Sequence, residues 1–154
     1  MSDYNKIISF TNSCGNKYLV EFKLVSSFDE CPLPIVDISL VSTDERNKMN
    51  QLKDLFLIIS NVSDYLDGKE VILYYYCDTR EIARRDKNVS PQEYRSNLFS
   101  KLFDYSKRVD LVLRTVKIKD TENNMYHFIS LITNFSNLEV IEDLNNKFES
   151  AYSK

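Results

Sequence analysis

Apolar and polar residues alternate along the first third of the chain with a period of two. Tyr18, Val20, Phe22 and Leu24 fall on one side, and Glu21 and Lys23 on the other. That spacing predicts a strand over Lys17–Ser26 with one buried and one wet face, as in an antiparallel hairpin. A shorter strand, Lys6–Phe10, precedes it across a turn at Thr11–Asn16 that contains Gly15. A loop over Ser27–Pro34 carries Pro32 and Pro34, and Ile35–Val41 then reads as a third strand. There Val36, Ile38 and Leu40 alternate against Asp37 and Ser39.

The period next becomes helical. Ser42-Thr-Asp-Glu45 is a capping box, in which the first hydroxyl and the last carboxylate each satisfy a free amide of the opening turn. The helix it opens runs to about Tyr65, with Leu52, Leu55, Phe56, Ile59 and Val62 as its apolar stripe. Asp67-Gly68 marks a turn. Val71 to Cys77 is a continuous apolar and aromatic run, which suits a central strand covered on both faces. A second helix starts at Ser90, with Pro91 at the first helical position and Glu93 completing another box. Tyr94, Leu98, Leu102 and Tyr105 form its stripe, widened by Phe99 and Phe103. Leu111–Lys119 and Met125–Thr133 read as two strands joined by the loop Asp120–Asn124. Ser136–Glu139 is a third capping box, and Leu138, Ile141, Leu144 and Phe148 face inward from the last helix. Acidic residues in its first turns suit the helix dipole.

The resulting order is βββ-α-β-α-ββ-α. It predicts an α+β fold, with a mixed six-stranded sheet and three helices packed on it, in one domain spanning residues 1–154. The length suffices for a substantial core. Ten tyrosines and nine phenylalanines make that core aromatic.

Composition narrows the chemistry. A formal net charge of −3 gives no global drive toward nucleic acid or an anionic membrane. Two glycines, Gly15 and Gly68, cannot build a Gly-rich phosphate loop or a dinucleotide fingerprint, so no cofactor is expected. Three scattered cysteines (Cys14, Cys31, Cys77) and one histidine, His127, make a structural zinc site a poor fit. Odd, unpaired cysteines fit a reducing cytoplasm. Met1–Phe10 lacks an apolar signal core, and Leu55–Ile59 is far too short to span a bilayer.

The functional hint lies after the central strand. Of seven arginines, Arg80, Arg84, Arg85 and Arg95 fall between Asp78 and the second turn of the second helix. Arginine offers planar, bidentate donors to carboxylate or phosphate. Ligands of sheets with parallel strands sit beyond the strands' carboxyl ends, where Asp78, Thr79 and Arg80 stand. Asp78, Thr79, Arg80, Arg84, Arg85, Tyr94 and Arg95 therefore form the candidate binding patch. Asp78, Glu81, Asp86 and Glu93 are interleaved with these cations, and internal ion pairing would use the same residues as scaffolding. Cys77, His127 and Asp78 could combine as thiol, base and orienter. Cys77, however, closes an apolar run, where a cysteine behaves as a small buried hydrophobe. Asp78, Glu81 and Asp86 follow no spacing that marks a hydrolytic carboxylate pair.

Three segments together resemble a family of uncharacterised small bacterial proteins found as stand-alone domains. They are Ile8-Ser-Phe10 with Gly15 and Tyr18-Leu-Val-Glu-Phe22, then Tyr75-Tyr-Cys-Asp78, then Arg95-x-x-Leu98-Phe99-x-x-Leu102-Phe103. The resemblance implies a single-domain fold and carries no activity. The order of elements is also similar to the core of acyl-CoA-dependent N-acetyltransferases. Those enzymes hold the cofactor pyrophosphate on a Gly-rich turn opening a helix. The corresponding Val41-Ser-Thr-Asp-Glu-Arg-Asn-Lys48 has no glycine and places Asp44 and Glu45 where bare amides are wanted.

These readings favour a cytoplasmic, non-enzymatic interaction or regulatory module that contacts an acidic protein partner through Arg80 to Arg95. The alternatives are an anionic small-ligand or degenerate acetyltransferase-like protein, and nucleic-acid binding by the same arginines with Tyr94 as a stacking platform.

Overall fold

The computed structural model describes residues 4–11, 17–25, 31–42, 51–77, 86–105 and 110–152. Six strands and three α-helices follow one another as the hydropathy pattern predicts. They are β1 (Lys6–Thr11), β2 (Lys17–Val25), β3 (Ile35–Ser42), α1 (Gln51–Leu66), β4 (Ile72–Tyr76), α2 (Pro91–Tyr105), β5 (Leu111–Asp120), β6 (Met125–Asn134) and α3 (Leu138–Tyr152). A 3-10 turn, Phe135–Asn137, leads into α3. The fold is α+β. One mixed sheet has the order β1-β2-β3-β4-β6-β5.

Two crossovers are expected to create parallel neighbours, and one of them does. The α1 connection makes β3 and β4 a parallel pair. The α2 connection leaves β4, but β6 inserts antiparallel beside β4 and pushes β5 to the sheet edge. The parallel pairing is short. It runs from Ile35–Ile72 to Asp37–Tyr74 and stops there. Beyond that point β3 continues beside β2, and β4 beside β6.

Each sheet face has its own core. On one, Val20, Phe22, Val36, Ile38, Leu73 and Ile132 meet Ile59, Val62 and Leu66 of α1 and Phe99 and Phe103 of α2. Tyr65 stacks flat on Phe22 at 4.0 Å, and its hydroxyl donates to the Tyr4 carbonyl at 2.6 Å. On the other face, Ile35, Ile72, Val116, Ile129 and Leu131 meet Ile141, Leu144 and Phe148 of α3. β4 lies between the two cores, and Val71, Ile72 and Leu73 are wholly buried. The tyrosine-rich run is therefore a central strand, as its lack of alternation predicts.

Local chemistry sets the helix ends. Gly68 takes a left-handed φ of 74° after α1, and the Asn134 side chain donates to the carbonyls of Leu66 and Lys69. At α2 the Ser90 hydroxyl accepts from the Glu93 amide at 3.2 Å, and Pro91 is the first helical residue. The third box behaves differently. Ser136 lies inside the 3-10 turn, and the entry is held by the Asn137 side-chain Nδ2 donating to Thr133 Oγ1, itself donating to the Val71 carbonyl. Ser42, the first residue of the box at 42–45, ends β3, while residues 43–45, the turn at 12–16 and the side chains of Leu52, Leu55 and Phe56 lie outside the described residues.

The inward face of α2 keeps most of the expected stripe and adds polar residues to it. Phe99 and Phe103 are buried and Leu98 and Leu102 pack half-buried against the core, while Gln92, Arg95 and Ser96 are buried and Tyr94 is half-buried. The N-terminal half of this helix packs a polar face against the sheet.

Candidate functional site

The carboxyl end of β4 presents different chemistry on its two faces. Successive residues of a strand point oppositely, so Tyr75 and Cys77 face α2 while Tyr74 and Tyr76 face the α3 side.

On the α2 side, Cys77 sits among Ser96, Ser130 and Arg95. All four are buried. Burial pushes the thiol up to about 12, against weaker opposing effects from the two hydroxyls and the Arg95 charge. The Ser130 hydroxyl lies against the sulfur but makes no well-aligned hydrogen bond. Gln92 completes the cluster by donating to the Tyr126 carbonyl at 2.6 Å, which ties α2 to the start of β6. A thiol held protonated in a closed setting is not a nucleophile.

On the opposite face, Tyr76 and Asp120 flank His127. The Tyr76 hydroxyl lies 2.7 Å from His127 Nδ1, and Asp120 Oδ2 lies 3.1 Å from His127 Nε2. Asp120 also accepts from the Glu122 and Asn123 amides and from the Asn123 side chain. The Asn123 side chain first, then His127 and the Asn123 amide, hold its carboxyl down at about 2. The β5–β6 register explains the grouping. Asp120 pairs with Met125 and Ile118 with His127, so Asp120 and His127 are diagonal neighbours on one face.

Asp78, Thr79, Arg80, Arg84 and Arg85 lie outside the described residues. Tyr94 is half-buried on α2, and Arg95 is 8% exposed beneath it. Arg95 therefore belongs to the interior cluster with Cys77, not to an exposed patch. Cys77 and His127 stand on opposite faces of the sheet, so the thiol–histidine arrangement does not form. Of the partners His127 does have, only Asp120 was signalled, by the hairpin loop that brings it beside His127. Tyr76 reaches His127 through the β4–β6 pairing, which no local pattern announces.

Two large aromatics stand exposed around this end of the sheet, Tyr76 at 40% and Tyr126 at 43%. The Lys117 ammonium lies 4.2 Å from the centre of the Tyr126 ring. At the far edge, a hollow of about 350 Å³ is lined by Asn5, Lys6, Ile7, Glu21, Phe22 and Lys23. Beside it, burial first and Glu21 second raise the Asp37 carboxyl, while Lys23 acts oppositely. Among the described residues, no three His, Cys, Asp or Glu side chains are grouped to hold a metal ion, and no helix is long and apolar enough to cross a membrane. Comparison with protein families, curated proteins and solved structures finds no match to this chain.

Proposed function

We propose that the protein is a non-enzymatic interaction module that docks an acidic protein partner at the carboxyl end of β4. One observation carries this reading. Tyr76 and Tyr126 are both exposed at the end of the sheet from which the Arg80-, Arg84- and Arg85-bearing connection departs. Aromatic and arginine side chains are the types enriched at interfaces, and large exposed rings are costly to leave in water. An acidic surface would pair with the guanidinium groups while the rings supply apolar area. The test is a quantitative pull-down from the source cell with wild type and an Arg84→Glu/Arg85→Glu variant. Acidic partners lost by the variant support the reading, and an identical partner set counts against it. Short oligonucleotides across a salt series provide the control. Binding that strengthens steeply at low salt would assign the arginines to phosphate instead.

A second reading is favoured by the early end of the β3–β4 pairing after Asp37–Tyr74. Parallel strands that part at their carboxyl ends leave room for a small ligand. A small anionic ligand such as a nucleotide is the natural class, with Arg80 and Arg84 as its anion contacts. A rise in melting temperature with a nucleoside triphosphate, lost in Arg84→Glu, supports this reading. An unchanged melting temperature at millimolar ligand removes it.

A further inference from the structure

The Tyr76–His127–Asp120 chain has an order that the partner reading does not use. Asp120 is a carboxylate held by three turn donors, and a carboxylate can only accept hydrogen bonds. The His127 Nε2 at 3.1 Å must therefore carry the hydrogen. In the neutral ring Nδ1 is then the bare acceptor, and the Tyr76 O–H at 2.7 Å donates to it. An exposed phenol is thereby placed on a base whose tautomer a carboxylate fixes. The same logic of nucleophile, base and orienter activates hydroxyls elsewhere. A purely structural clamp does not need its phenol exposed, and Tyr76 is 40% exposed.

We propose that Tyr76 is a nucleophilic acyl-acceptor site for activated carboxylic esters, with His127 as its base and Asp120 as the positioning residue. In the step, the phenol proton passes to His127 Nδ1 as Tyr76 Oη attacks the acyl carbon. A new C–O bond forms to the tyrosine, the bond to the leaving alkoxide or phenoxide breaks, and that group departs with the electron pair. The imidazolium then returns its proton to water. The product is an O-acyl tyrosine, a stoichiometric modification at the end of the sheet proposed to meet the partner. It does not depend on that partner.

The chain supplies its own control. Tyr126 is 43% exposed, while the single histidine is engaged by Tyr76. Intact protein is treated with p-nitrophenyl acetate, and acetylation at each tyrosine is followed by peptide mass spectrometry. Tyr76 is expected to react on the order of 10²-fold faster than Tyr126, the low end for positioned general-base assistance. Equal rates at the two tyrosines overturn the proposal, and this comparison needs no variant. In His127→Ala, Tyr76 falls to the Tyr126 rate, and added imidazole restores the difference. No fall, or a fall that imidazole does not restore, counts against His127 as base. Asp120→Asn slows Tyr76 while leaving Tyr126 unchanged. If both tyrosines change together, or only the melting temperature moves, Asp120 is a turn residue and not a positioning one.

Discussion

Cys77 and Tyr76 are adjacent in sequence, and a strand sends them to opposite environments. The consequence for Cys77 can be measured. Its thiol has an ordinary pKa of 9.0 and is pushed up to about 12 by burial. In the unfolded chain the thiol ionises above pH 9.0, while the folded thiol keeps its proton until about pH 12. The unfolded state loses its proton first, so stability is fully present below pH 9.0 and falls as pH rises through that window. The slope from this one group is about 1.4 kcal/mol per pH unit. Tyr65, also raised to about 12 by burial and by Tyr4, titrates in an overlapping range. The measurement is therefore a difference. Urea unfolding of wild type and Cys77→Ala is compared from neutral to alkaline pH, and the variant is expected to lose stability less steeply. Parallel curves for the two proteins would mean that Cys77 is not closed off in the way its burial requires.

Helix α2 shows what the sequence encoded at the level of elements and what it concealed. Its start was fully legible, because Ser90, Pro91 and Glu93 are a local signal and need no tertiary context. Replacing the cap, Ser90→Ala, is expected to cost about 1 kcal/mol in urea unfolding. Its inward face was legible only in part. A hydropathy stripe selects Leu98, Phe99, Leu102 and Phe103, which do pack in the core, but it misses the buried Gln92, Arg95 and Ser96. Polar residues can be buried when partners satisfy them, and those partners lie far away in sequence. Gln92 finds the Tyr126 carbonyl thirty-four residues on. Gln92→Ala is accordingly expected to destabilise by about 1 kcal/mol. Stability equal to wild type would place Gln92 on the wet face, as the stripe alone implies. The third capping box failed for a related reason. Ser136 fits the motif, but the buried Thr133–Asn137 contact extends the helical turn backward past it.

At the scale of the whole molecule, the element order was readable because each element declares its own period. Sheet order was not, because β6 inserting between β4 and β5 is decided by which strand covers β4 best. That insertion gives the sheet a gradient of protection. β4 and β6 run through the middle, with α2 packed on one side and α3 on the other. Val71, Ile72, Leu73, Leu131 and Ile132 are wholly buried. Among the described residues, β1 is an edge strand bonded to β2 alone, and its Ile7 is 65% exposed. Amide exchange proceeds through openings whose free energy follows this local burial, from near zero at frayed edges to the global value at the centre. Amides of β4 and β6 are thus expected to exchange last, at rates set by global unfolding, and those of β1 first, through opening of the β1–β2 pair. The distinguishing feature is the response to denaturant. Low urea should accelerate β4 and β6 steeply, because their exposure requires the whole surface to open, and should barely affect β1. If β1 instead shares both the rate and the urea dependence of β4, the sheet opens as a single unit. The central strand would then be no more protected than the edge.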